Sequence, residues 1–137
     1  MAVFVLQNAW TKINGVDLSD HMSEVTVHMS AADVDVTAMG AGGHQHLLGI
    51  RDDSFEFTAF SDFAAGKIDA TLWPLFAGGS IFLVEVAANG SAISATNPKF
   101  SGSCILTQYE PIAGGVGDAS TTKIPMPVQG TITRGTT

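Results

Sequence analysis

Apolar and polar residues alternate with a period of two over several stretches of this chain. In residues 23–29, Val25, Val27 and Met29 alternate with Glu24, Thr26 and His28. In 53–59, Phe55, Phe57 and Ala59 alternate with Ser54, Glu56 and Thr58. In 124–134, Ile124, Met126, Val128 and Ile132 alternate with Gln129, Thr131 and Thr133, and 100–109 alternates less regularly around Phe100, Cys104 and Leu106. Each stretch predicts a strand with one buried and one wet face, and four of them imply mainly antiparallel pairing. Residues 81–86 form a nearly unbroken apolar run, which predicts a strand covered on both faces. Asn14-Gly15 and Asn89-Gly90 are hairpin-turn dipeptides.

Pro125 and Pro127 constrain the last strand. Backbone N–H groups point alternately to the two neighbours, so both prolines lack donors on the same side. That side belongs at an edge of the sheet. One helix is expected within 64–76, where Ile68, Leu72, Leu75 and Phe76 recur at helical spacing and Asp62 or Asp69 can cap it. Pro74 argues against a long helix unless it falls in the first turn. Residues 31–49, with Gly40, Gly42 and Gly43, and residues 112–122 show little periodicity and read as long loops. The expectation is a mainly β, antiparallel sandwich or partial barrel with one flanking α-helix, forming a single domain over 1–137.

Composition adds a constraint on the surface. Apolar residues make up 45% of the 137-residue chain and charged residues only 14%, against about 25% in a typical soluble domain. The longest uncharged apolar stretch, 70–84, contains Pro74, Gly78 and Gly79 and falls short of the roughly 20 residues that span a bilayer. A sparsely charged chain without such a span is expected to be covered by other protein, most simply by copies of itself. The formal charge is −7. Ten of the 13 acids but three of the six bases lie in residues 1–70. This balance argues against nucleic-acid recognition, which needs Lys and Arg to displace phosphate counterions, and against an anionic membrane. The first residues lack the basic and long apolar regions of a secretion signal.

Candidate chemistry is sparse. His44 and His46 fall on one side of an extended segment near Asp33 and Asp35, but no third ligand has a recognisable spacing, so two polar residues in a glycine-rich loop is the commoner reading. Cys104 reads as a small buried hydrophobe. Glu24 and Glu56 would pair as carboxylates only if their strands were neighbours; solvated acids on a wet face are more usual. No nucleophile elbow or phosphate loop is present. No catalytic residue, metal or cofactor is expected.

An ordered set of strings carries a resemblance. Ile13-Asn14-Gly15-Val16-Asp17-Leu18-Ser19-Asp20-His21, then Val25-Thr26-Val27, then Asp33-Val34-Asp35-Val36-Thr37-Ala38-Met39-Gly40 resemble the tail tube (major tail) proteins of long, flexible-tailed bacteriophages. The stretches 62–75, 94–102 and 127–134 continue the likeness, in order, along nearly the whole chain. The resemblance implies a structural virion protein assembled in the host cytoplasm as hexameric rings stacked into a tail tube. Its partners would be further copies of itself, with tail tip, tape measure and tail terminator proteins, and DNA would pass through without specific binding. It further implies a closed inner barrel and a long loop that reaches the adjacent ring, here 31–49.

On that footing the wet strand faces are the candidate lumen wall: Glu24, Thr26, His28, Ser54, Glu56, Thr58, Gln129, Thr131 and Thr133. Asp33, Val34, Asp35, Val36 and Met39 are the candidate inter-ring contacts. An inner-tube protein of a contractile tail or injection device shares this reading. A soluble ligand-binding β-sandwich is the rival from another class, although it would place aromatics on an exposed face.

Overall fold

A computed structural model describes residues 3–137. The elements run β1 (Trp10–Ile13), β2 (Val16–Asp17), a 3-10 turn (Ser19–His21), β3 (Met22–His28), β4 (Ala31–Asp35), β5 (His46–Arg51), β6 (Ser54–Phe60), α1 (Ile68–Gly78), β7 (Phe82–Ala87), β8 (Lys99–Cys104), β9 (Thr121–Pro127) and β10 (Thr133–Gly135). Two antiparallel sheets face each other, one of three strands in the order β3-β6-β9 and one of five in the order β10-β8-β7-β1-β2. Their inward faces supply the core: Phe55, Phe57, Ile124 and Met126 from the first, and Ile13, Phe82, Val84 and Cys104 from the second. The mainly β fold with one helix is therefore as the periodicity and the resemblance imply.

Local chemistry explains several boundaries. Ile13 pairs with Val16, which leaves Asn14-Gly15 as a two-residue turn with φ of 50° and 82°, the left-handed pair such a turn needs. Asn89-Gly90 makes no such turn. Residues 88–98 join β7 to β8 as a longer connection, because the Asn97 side-chain amide donates to the carbonyls of Asn89 and Ser91 and folds the chain around itself. The apolar run at 81–86 is buried on one face only. Phe82, Val84 and Val86 point inward, while Ile81 and Leu83 are 64% and 47% exposed.

Two expected strands are shorter than their patterns. The alternation at 124–134 is cut by Gly130, at φ 100°, so β9 stops at Pro127 and β10 joins the other sheet beside Ser101 and Phe100. The stretch 100–109 leaves the ladder after Cys104. Beyond it, residues 105–110 run beside β9, where the prolines offer no N–H, and a single backbone bond, Ile105 N–H to Pro127 O at 3.2 Å, holds the two together. β9 is an edge strand, as Pro125 and Pro127 require.

The helix starts inside the expected range and runs two residues past its end, to Gly78. Asp62 is used in a turn instead of a cap: its Oδ1 accepts from Ala64 N–H at 2.9 Å and its carbonyl from Asp69 N–H at 3.0 Å. Ile68, Thr71, Leu72 and Leu75 then form the buried stripe. Pro74 sits inside the helix, where it denies the Ala70 carbonyl its usual donor. Tyr109 Oη donates to Asp69 Oδ1 at 2.7 Å and ties the helix to the 105–110 segment.

Two polar ties hold distant parts together. Asp53, fully buried at the start of β6, uses one oxygen for two partners: Arg51 Nη2 at 2.6 Å and the Ile132 N–H at 2.8 Å. His21 bridges Asp20 Oδ1 at 2.8 Å and Asp62 Oδ2 at 2.7 Å, linking the 3-10 turn to the approach to α1. The Asp20 carboxylate, then that of Asp62, holds His21 above its ordinary pKa. The His21 bond in turn keeps Asp20 below the usual carboxylate value. Asp62 is lowered first by the Ala64 amide and then by His21.

Replacing Asp53 by Ala should orphan the buried Ile132 amide, at a cost of roughly 1–3 kcal/mol, read from urea unfolding; Asp53→Asn, which keeps an acceptor, should lose less. The His21 bridge has a defined pH window. The raised histidine contributes fully below about pH 6.5 and loses its contribution as pH rises through the raised value. The lowered carboxylates contribute above about pH 4 and lose theirs as pH falls through their depressed values. The melting-temperature gap between the natural chain and His21→Asn should therefore be widest near pH 5–6 and shrink above pH 8.

Candidate functional site, a polar sheet face and a projecting ribbon

The outer face of the three-stranded sheet follows from the register of β6. Thr58 stands opposite Glu24 on one side and Lys123 on the other; Glu56 opposite Thr26 and Pro125; Ser54 opposite His28 and Pro127. Because Phe55, Phe57 and Ala59 point into the core, all nine of these residues share the opposite face. They form a polar surface with a shallow groove of about 300 Å³, lined by Glu24, Thr26, Glu56, Thr58 and Lys123 together with Gln108. Glu24 and Glu56 lie on neighbouring rungs and neither has a hydrogen-bond or ion-pair partner among the described residues. Both side chains are exposed on the sheet face.

Six of the nine candidate wall residues are thus brought together: Glu24, Thr26, His28, Ser54, Glu56 and Thr58. Gln129, Thr131 and Thr133 are not with them. Gln129 donates its N–H to Ser103 O, and Thr133 pairs with Ser101 in the five-stranded sheet. The end of β9 at Pro127 removes this part of the chain from the face. Lys123 takes its place, and parity counted back from Ile124 would have found it.

Residues 31–49 are not a structureless loop. β3 and β6 continue past their ends into β4 and β5, through the Asp52 N–H to Ser30 O bond and the Ser30 hydroxyl to Asp52 O bond, both 2.8 Å. Val34 pairs with Leu47 and Asp35 with His46. Gly40, Gly42 and Gly43 lie in the tip, residues 36–45, while Gly49 lies within β5 against Ala32 and Val34. Apolar residues occupy both faces of this ribbon, Val34 and Leu47 on one and Leu48 on the other, so no period-two signal survives in the sequence. Leu48, Ile50 and the tip residue Met39 are more than 80% exposed.

Polar contacts stiffen the ribbon. His46 Nδ1 lies 2.7 Å from Asp33 Oδ1 and His44 Nδ1 lies 3.3 Å from Asp35 Oδ2. Asp35 also accepts from the Thr37 hydroxyl at 2.6 Å and N–H at 2.9 Å, which holds its carboxyl below the usual range. Each imidazole is matched to its own carboxylate. Among the described residues no three ligand-bearing side chains converge as a metal site would require. Asp33, Val34 and Asp35 lie in β4, Val36 just beyond it, with its N–H bonded to Gln45 O at 2.8 Å. Cys104 is buried, and burial pushes its thiol up to about 12, the environment of an inert side chain.

No protein-family model matches the chain, and no curated protein does. Solved structures do. A chain of the virion of the native gene transfer agent particle superposes with a TM-score of 0.76 at 16% identity, over 96% of this chain and 98% of that one. A chain from the tail of the empty gene transfer agent particle, determined with C6 symmetry, gives 0.66 at 18% identity, over 82% and 81%. The SPP1 tail tube gives 0.78 at 13% identity, over 98% of this chain and 80% of that one. Over nearly its whole length this chain shares the fold of the SPP1 tail tube.

Proposed function

We propose that the chain is a structural subunit of a phage-type tail tube, closing into six-membered rings that stack into a conduit for DNA. The observation that carries this reading is the likeness over nearly the whole chain to the SPP1 tail tube and to a chain of the gene transfer agent virion, joined by a match over 82% of the chain to a gene transfer agent tail with C6 symmetry. The surface supports it. Phe63, Trp73, Ile81 and Leu83 are about half exposed or more, on a chain with few charges, and ring neighbours would cover such residues.

The polar face of the three-stranded sheet is the wall of the channel in this reading. Glu24 and Glu56 outnumber Lys123, so each subunit presents a slight excess of negative charge. A cationic wall would capture phosphate by counterion release; this one lets DNA slide without specific binding. The β4–β5 ribbon is the arm to the adjacent ring. A two-stranded ribbon is marginally stable alone, and Val34, Val36 and Met39 would gain burial on that ring while Asp33 and Asp35 make polar contacts. The tube would sit in the virion tail, assembled in the host cytoplasm, with tail tip, tape measure and terminator proteins as further partners. No catalytic role is part of this reading.

Electron microscopy of the concentrated chain tests it. Hollow tubes built from six-fold rings are expected, and uniform monomers at high concentration and physiological salt would contradict the reading. Deleting residues 39–43 should leave a folded subunit that forms rings but does not stack them. Changing Glu24 and Glu56 together to Lys reverses the sign of the wall. Tubes should still form, while DNA passage slows, more so at low salt where screening is weak; unchanged passage would remove these two residues from the wall.

A further inference from the structure

Two asparagines of this chain, Asn14 and Asn89, precede a glycine. At such a pair the backbone nitrogen of the second residue reaches the side-chain amide carbon of the first with least obstruction, because glycine has no Cβ. Asn97 precedes Pro98, whose nitrogen has no proton to lose, and Asn8 precedes the bulkier Ala9. Asn14 and Asn89 are both exposed, so exposure does not separate them. Their backbones do.

Asn14 and Gly15 hold left-handed φ of 50° and 82°. The Ile13–Val16 pair closes the turn, and the Asn14 N–H donates to Leu83 O at 2.8 Å. Bringing the Gly15 nitrogen against the Asn14 side chain means rotating the peptide between them, which this ladder resists. Asn89-Gly90 lies just past the end of β7 and belongs to no strand. The Gly90 N–H donates to no backbone carbonyl among the described residues, and the space beside the Gly90 Cα is open. The Ser91 N–H donates to Asn89 Oδ1 at 2.9 Å. That bond polarises the amide carbonyl and is placed to stabilise negative charge developing on its oxygen.

We propose that Asn89 is a site of spontaneous deamidation, selected over Asn14 by the fold. The Gly90 nitrogen gives its proton to solvent base and bonds to Asn89 Cγ. The Cγ–Nδ2 bond breaks, and Nδ2 takes a proton from solvent and leaves as ammonia. The product is a cyclic imide, which water opens at one of its two carbonyl carbons. Opening at Cγ gives aspartate on the original chain path. Opening at the main-chain carbonyl gives isoaspartate, with the chain routed through the former side chain. Either product adds one negative charge to the −7 of the chain. Isoaspartate also displaces the Asn89 carbonyl, an acceptor by which Asn97 folds residues 88–98 around itself. The inference does not depend on the tube reading.

Timed incubation of the folded full chain at mildly alkaline pH, followed by peptide mapping with mass spectrometry, tests it. Aspartate and isoaspartate should accumulate at residue 89 about tenfold faster than at residue 14, or more, because Asn14 must wait for its turn to open. In urea, where that turn is lost, the two rates should converge. Gly90→Ala sits in open space and should fold like the natural chain, yet react about tenfold more slowly at residue 89, since a Cβ hinders the attacking nitrogen. Equal rates at the two sites in the folded chain overturn the assignment, as does an intact Asn89 over the time in which the urea-unfolded chain reacts there. A gap that persists unchanged in urea also overturns it, because the flanking residues and not the fold would then set the difference.

Discussion

The parity of β6 governs the molecule. Phe55 and Phe57, stacked with ring centroids 6.0 Å apart, face the core, so Ser54, Glu56 and Thr58 must face away from it. A slip of one residue would exchange the two sets. The register is held where β6 begins, by a buried Asp53 that joins Arg51 at the base of the ribbon to Ile132 on the way to β10. From this one strand follow the polar face, the direction in which β3 and β9 offer their backbone groups, and the line along which the ribbon leaves the sheet.

The same constraint leaves the isolated subunit incomplete in three places. Among the described residues, the ribbon exposes apolar residues on both faces, β3 has no strand on its outer side, and the N–H groups of residues 106–110 meet no backbone carbonyl. A monomeric sandwich usually blunts such features with charges or caps. Here the β9 edge is blunted by its prolines.

What could be read from the sequence was what depends on near neighbours. The faces of β3 and β6, the Asn14-Gly15 turn and the edge position of β9 each follow from a few adjacent residues. What could not be read depends on distance or on mixed signals. Ile132 continues the even parity of Ile124 and Met126 across Gly130, which hides the passage of the chain from one sheet to the other. The ribbon is apolar on both faces, so β4 and β5 lose the alternation that marks a strand. Asp53 is a polar residue at an inward position of the 53–59 alternation, and its partner Ile132 is 79 residues away. The wall residues divided accordingly: those on β3 and β6 came together, while Gln129, Thr131 and Thr133 did not, and Lys123 was missed beside two prolines.

The central claim is that the polar face of the three-stranded sheet looks into a closed channel. A cryo-electron microscopy map of the assembled protein, resolved well enough to trace strands, measures this directly. The account predicts β3, β6 and β9 on the inner wall of each six-fold ring, with Glu24, Glu56 and Lys123 toward the axis. A tube whose inner wall is the five-stranded sheet, with these three side chains on the outside, would contradict it.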